Sequence, residues 1–236
     1  MQKGSIASVH GGTNGAHNKS YYARRVAAGL PVVCKSVDNA GVVMEAAQAA
    51  AVNPSLAHCI VLRYTHPYPD SQEWDKYRHW LPPKEAGRLL AEGLIARLKQ
   101  SPELVGLEHL IYVQLTTEDR TRPDSGNPNY ANMWPTEYTA IAAMTAGEYV
   151  MSFGWRVVVD GFNAGEPERA DWTKPERTKM LKWALSKNGR VALGMNESYL
   201  LSDWKTQPIS KAVGDQTVGR MSYIPEWARA VPVVVT

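Results

Sequence analysis

The chain has 236 residues, of which 44% are apolar, and a formal charge of +3. That length fits one large domain or two small ones, and the apolar share supports a substantial core. No run of Lys or Arg exceeds two residues, which excludes a basic nucleic-acid stripe, and no apolar segment reaches the roughly 20 residues of a membrane span.

The first residues, Met1-Gln2-Lys3-Gly4-Ser5, lead straight into a strand pattern. They lack the charged region, apolar stretch and cleavage site of a signal peptide, so a soluble protein is expected, in no particular compartment. Strands are then predicted at Ser5–His10, Pro31–Asp38, His58–Thr65, Leu110–Glu118, Trp155–Phe162, Arg190–Glu197 and Val231–Thr236. Each is short and rich in β-branched or apolar residues, as a strand buried on both faces should be. Helices are predicted between them at Ser20–Ala28, Gly41–Ala51, Pro83–Gln100, Thr136–Phe153 and Lys174–Lys187, with an irregular one at Val218–Ala228 around Pro225. Pro83–Gln100 shows the clearest helical spacing, in Leu89, Leu90, Leu94, Ile95 and Leu98.

Strands alternating with helices predict a parallel sheet in a single domain over 1–236. The segments after strands, 64–82 and 119–135, are long, polar and aromatic, while the returns at Gly29-Leu30 and Gly189 are tight. That asymmetry suits a fold with its function at one end of the sheet. The expected fold is therefore a (β/α)8 barrel-like domain with about seven strands present and the eighth missing or supplied otherwise. A doubly wound nucleotide-binding sheet is the rival, but Gly11-Gly12-Thr13-Asn14-Gly15 lacks the Gly-x-Gly-x-x-Gly spacing.

The two cysteines, Cys34 and Cys59, have no metal-ligand spacing, and strand alternation turns Cys34 outward and Cys59 inward, against a disulfide. There is no Gly-x-Ser-x-Gly, no phosphate loop and no His-x-x-x-His, so no serine nucleophile, metal or cofactor is expected. The strands end in His10, Lys35 to Asp38, Arg63-Tyr64, Thr116 to Asp119, Asp160 to Asn163 and Asn196 to Tyr199. Such polar ends are costly in a packed barrel unless they face a wet pocket or each other. The two-residue period places Tyr112, Gln114, Thr116 and Glu118 on one face, and points Lys35 and Arg63 inward. Two cations beside several carboxylates hold at least some of them ionised.

Two carboxyl groups across a cleft are the minimum for cleaving a glycosidic bond. Glu118 is the first candidate for the acid, and Glu197 is a candidate nucleophile, orienter or partner of Lys35. Ion pairs of Glu118 with Arg63 or Arg120 are the structural alternative. Asp160 reads as a hydrogen-bonded interior residue, and His10 more as an interior histidine than as a catalyst. Eight Trp and eleven Tyr against two Phe suit a wet groove that stacks on sugar rings. Trp134, Trp172 and Trp204, in loops after strands four to six, are candidate stacking platforms or rim anchors. Tyr64, Tyr68, Trp74, Tyr77 and Trp80 form either a binding wall or helix packing.

These features resemble the clan A retaining glycoside hydrolases, the cellulase-like (β/α)8 superfamily. Leu110-Ile111-Tyr112-Val113-Gln114-Leu115-Thr116-Thr117-Glu118 is similar to the fourth strand, which ends there in Asn-Glu-Pro with Glu as acid/base. Trp155 to Pro167 resembles the fifth strand and its loop. Val191 to Tyr199 resembles the sixth, where some members carry His-Glu-Tyr. Val218 to Thr236 is similar to the approach to the seventh, whose Glu is the family nucleophile. The resemblance implies carbohydrate as the ligand, Glu118 and Glu197 as catalytic candidates, and His10, Lys35, Arg63, Asn196, Tyr199, Trp134, Trp172 and Trp204 around the substrate. Thr117, Asp119 and Asn196 depart from the family's Asn, Pro and His. The family nucleophile would fall one residue past Thr236, so the resemblance implies either a truncated barrel or a degenerate one, with a partner chain over its open edge. A non-catalytic carbohydrate-binding or structural barrel within a larger assembly is the alternative. An aldolase-like barrel using Lys35 for a Schiff base is a third reading.

Overall fold

The computed structural model describes residues 9–11, 19–64, 81–116, 135–162, 169–195 and 224–235. Seven parallel strands pair in chain order: β1 (Val9–Gly11), β2 (Val33–Val37), β3 (Cys59–Arg63), β4 (Ile111–Gln114), β5 (Arg156–Phe162), β6 (Val191–Met195) and β7 (Val233–Val235). The helices are α1 (Lys19–Ala27), α2 (Ala40–Ala51), α3 (Pro83–Leu98), α4 (Pro135–Met151) and α5 (Pro175–Ser186). The chain turns tightly from α1 toward β2 through Gly29, whose φ of 69° belongs to the left-handed region that glycine enters freely. Asn39 caps α2, its Oδ1 accepting from the Val42 amide at 3.2 Å. Pro83 and Pro175 open α3 and α5, where their missing N–H leaves no helical bond unmade. Of the predicted helix Val218–Ala228, the described part holds a three-residue 3-10 turn at Glu226–Ala228.

The barrel expectation is corrected. The all-parallel sheet is curled into a half-barrel, and its two outermost strands, β1 and β7, are three residues each. β1 pairs only with β2 and β7 only with β6 among the described residues. Closure needs strand number, tilt and stagger to agree, and eight strands is the number that does so in (β/α)8 folds.

The convex face carries the main core. Ile60, Leu62, Ile111, Val113, Val157, Val159, Val191 and Leu193 pack there against Val43, Ala47, Leu90, Leu94, Ala143, Ala146 and Leu181 of the helices. α3 and α4 approach closely at Gly87, where a Cβ would lie 2.3 Å from the Ala142 carbonyl oxygen. The concave face has a smaller apolar cluster of Val61, Tyr112, Val158, Ala192 and Val234, with Cys59 against it. Cys34 lies in the convex core and Cys59 on the concave side, both as free thiols, in the arrangement that alternation predicts.

One irregularity shapes the upper sheet. The β5–β6 register slips between Val159 and Gly161, and Asp160 between them has φ of 58°. A bulge of this kind re-aims one side chain. Gly194 opposite has room for no side chain, since a Cβ there would sit 2.2 Å from the Asp160 carbonyl oxygen. Asp160 accepts from Nη1 of Arg177 on α5, and both side chains are fully buried. Arg177 also donates to the Thr136 carbonyl at 2.9 Å and to Thr139 Oγ1 at 2.9 Å, both on α4. It thereby ties β5, α4 and α5 together at the carboxyl edge of the sheet.

Removing Arg177 leaves the Asp160 carboxylate buried and unpaired, the expensive way to break such a pair. Arg177→Met is expected to lose about 3–5 kcal/mol in urea unfolding. Adding Asp160→Asn to it should recover part of that loss. Equal stability of Arg177→Met and the unmodified protein would contradict the pairing.

Candidate functional site

The concave face changes character from one edge to the other. At its amino edge, the Tyr112 hydroxyl donates to the Gly189 carbonyl at 2.6 Å and Arg156 Nη2 donates to the same oxygen at 2.8 Å. Arg156 also donates to the Tyr112 hydroxyl, and its guanidinium carbon lies 3.8 Å from the ring centroid. This stacked, hydrogen-bonded floor spends the polarity of both residues locally. Burial pushes the Tyr112 hydroxyl up to about 12 and the Cys59 thiol up to about 11, which keeps both neutral over the ordinary pH range. Above the floor comes the apolar middle.

The carboxyl edge is polar. Gln114 and Thr116 are buried there on the β4 ladder, with Gln114 Nε2 donating to the Thr116 carbonyl at 2.8 Å. Arg63 on β3 is in register with Gln114, and Lys35 on β2 is in register with Val61 two residues below Arg63. Lys35 and Arg63 are thus diagonal neighbours on one face. Lys35 is only 5% exposed, and Arg63 Nε is buried with no hydrogen-bond partner among the described residues. Neither has a carboxylate partner among the described residues. Burial first, and then the Arg63 charge, push the Lys35 amine down to about 8. His10 on β1 occupies the register position beside Lys35.

Strand-end carboxylates go the other way. Asp38, just after β2, has φ of 54° and accepts from Arg97 Nη2 of α3 at 3.0 Å. Asp160 turns to Arg177 as described above. Both acids therefore meet arginines carried by helices, and the cations of β2 and β3 are left on the concave side. Asp160 is a hydrogen-bonded interior residue, as its sequence context suggests. Arg177 and Arg97 carry no motif that marks them, since each reads as an ordinary polar position on an amphipathic helix.

The aromatic candidates divide in the same way. Trp172 is 1% exposed and packs in the convex core, so its ring is not an open stacking surface. Tyr64 is buried on the helix side, its hydroxyl 2.9 Å from Ser101 Oγ and its ring under Arg97 at 4.4 Å. His58, which sequence reasoning passed over, is structural: Nδ1 accepts from the Val32 amide at 2.9 Å and Nε2 donates to the Asn53 carbonyl at 2.8 Å. Glu118, Glu197, Asn196, Tyr199, Trp134, Trp204, Tyr68, Trp74, Tyr77 and Trp80 lie outside the described residues. Among the described residues, no group of three His, Cys, Asp or Glu side chains could hold a metal ion, and no helix is long and apolar enough to cross a membrane.

No family model matches the chain, and neither a curated protein nor a solved structure matches it.

The buried Lys35 ammonium gives a pH-dependent handle on the site. The unfolded chain holds a proton on this amine up to about 10.5, while the folded chain releases it from about 8, so this group adds stability as pH rises through that window. At neutral pH its charge opposes folding by up to about 3 kcal/mol, at roughly 1.4 kcal/mol for each pH unit of displacement. Lys35→Met is expected to unfold at higher urea at pH 7, by about 1–3 kcal/mol, with the gain shrinking from pH 8 to 10.5. Cys59 and Tyr112 titrate in the opposite sense above about pH 9, and comparing the two proteins at each pH cancels them. A Lys35→Met protein less stable than its parent at pH 7 would contradict this.

Proposed function

We propose that the chain is a carbohydrate-active protein of the glycoside-hydrolase type, working at the carboxyl edge of the concave face. The observation that carries this reading is the cationic pair Lys35 and Arg63, uncompensated among the described residues, beside the polar ladder of β4. In sequence, the ladder Tyr112, Gln114, Thr116 continues at the same period to Glu118. Glu118 and Glu197 are the proposed carboxylates. One protonates the leaving oxygen while the other attacks or activates water. The cations divide the labour between them. A carboxylate near Lys35 and Arg63 is held ionised and serves as nucleophile or base, and one farther away keeps its proton and serves as acid. The stacked, hydrogen-bonded amino edge and the apolar middle support entry of a ligand from the opposite, polar edge.

Glu118→Gln and Glu197→Gln are each expected to cut turnover about 10²–10⁴-fold on a panel of polysaccharides while leaving binding intact. Absence of turnover by the unmodified protein across that panel would rule out the hydrolase.

The displacement of the Lys35 amine favours a second reading, an imine-forming lysine. A desolvated lysine beside another cation is a recognised way to make the amine nucleophilic. Its attack on a carbonyl expels water and leaves an imine, which borohydride reduces to a stable secondary amine. No adduct at Lys35 after borohydride treatment with a panel of aldehydes and ketones would end this reading.

A further inference from the structure

We propose that Lys35 and Arg63 form a subsite for the carboxylate of an acidic sugar, so that the glycan recognised here contains uronic acid. This inference rests on the carbohydrate reading and specifies its substrate class. Lys35 is nineteen-twentieths buried, and Arg63 holds Nε buried without a partner. They stand diagonally on adjacent strands of one face, close enough for the Arg63 charge to disfavour the Lys35 ammonium. Two cations so placed repel, and the protein does not use either to hold an acid among the described residues. The acids that end β2 and the body of β5 are committed to Arg97 and Arg177 in the helix layer.

Among the described residues no acid completes this arrangement, and an anion from outside does so. A carboxylate suits it, because one oxygen can accept from the guanidinium and the other from the ammonium. Gln114, in register with Arg63, and Thr116 supply the neutral polar surroundings that a sugar ring requires. A neutral sugar would leave both charges unpaired as it displaced their water, and would be rejected for that reason.

The test is thermal unfolding at pH 7 and constant ionic strength, titrated with glucuronate, galacturonate and mannuronate, and with glucose, galactose and mannose. A ligand that binds only the folded state raises the midpoint in proportion to its occupancy. At least one uronate is expected to raise it while the neutral sugars do not. Arg63→Met should weaken that uronate about tenfold to a hundredfold, as loss of a hydrogen bond to a charged group does. Lys35→Met, a variant expected to fold stably, should weaken it likewise, and Lys35→Arg should restore part of the response. The inference is overturned if no uronate acts, if uronate and neutral sugars act equally, if sulfate matches the uronates, or if the response survives Lys35→Met. Uronate binding without cleavage of any glycan would remove the hydrolase and leave this subsite standing. Cleavage of neutral glycans with no uronate response would do the reverse.

Discussion

Charge is sorted across this sheet, and the Asp160–Arg177 pair is where the sorting is enforced. The left-handed backbone at Asp160 delivers a carboxylate from within β5 to the helix layer, away from the line its strand would otherwise follow. Arg177 accepts that delivery because Thr136 and Thr139 of α4 take its remaining donors. Gly194 leaves the space the bulge requires. Asp38 and Arg97 repeat the pattern at the end of β2, again from a left-handed aspartate to a helical arginine. Two independent acids are thus withdrawn from the concave side, and Lys35 and Arg63 are not neutralised by them.

The consequence is a concave face whose buried cations oppose the fold. A buried ammonium next to a guanidinium opposes folding, and apolar residues at the same positions would pack at lower free energy. Strain of this sort concentrates at functional sites, where stability is given up for binding or chemistry. The floor made by Tyr112, Arg156 and Gly189 shows the contrast, since its cation is stacked and hydrogen-bonded. The same sheet therefore stacks and hydrogen-bonds one guanidinium and, among the described residues, leaves Nε of another without a hydrogen-bond partner. That difference, more than any single motif, is what the proposed function rests on.

Much of this was legible in the residues. The alternation of strand and helix, the inward Lys35 and Arg63, and the opposite facing of Cys34 and Cys59 follow from a two-residue period that the structure keeps through β2, β3 and β4. The exception is β5, where period-two reasoning fails at Asp160, because a left-handed aspartate leaves no local trace to read. Arg177 and Arg97 were invisible for a related reason, as their partners arrive from distant strands. Trp172 read as a loop aromatic and is a core residue, because a short 3-10 turn at Arg169–Thr173 folds it under α5. The incomplete (β/α)8 barrel gave way to a curled half-barrel, since strand count alone carries no information on tilt and stagger.

The titration of the Lys35 side-chain amine tests the charge sorting most directly. Isotope-labelled lysine, with the signal assigned by its loss in Lys35→Met, should report a midpoint near about 8, and Arg63→Met should move it upward. A midpoint at or above the ordinary lysine value of about 10.4, unmoved by Arg63→Met, would contradict the account, because burial and the Arg63 charge would then not govern this amine.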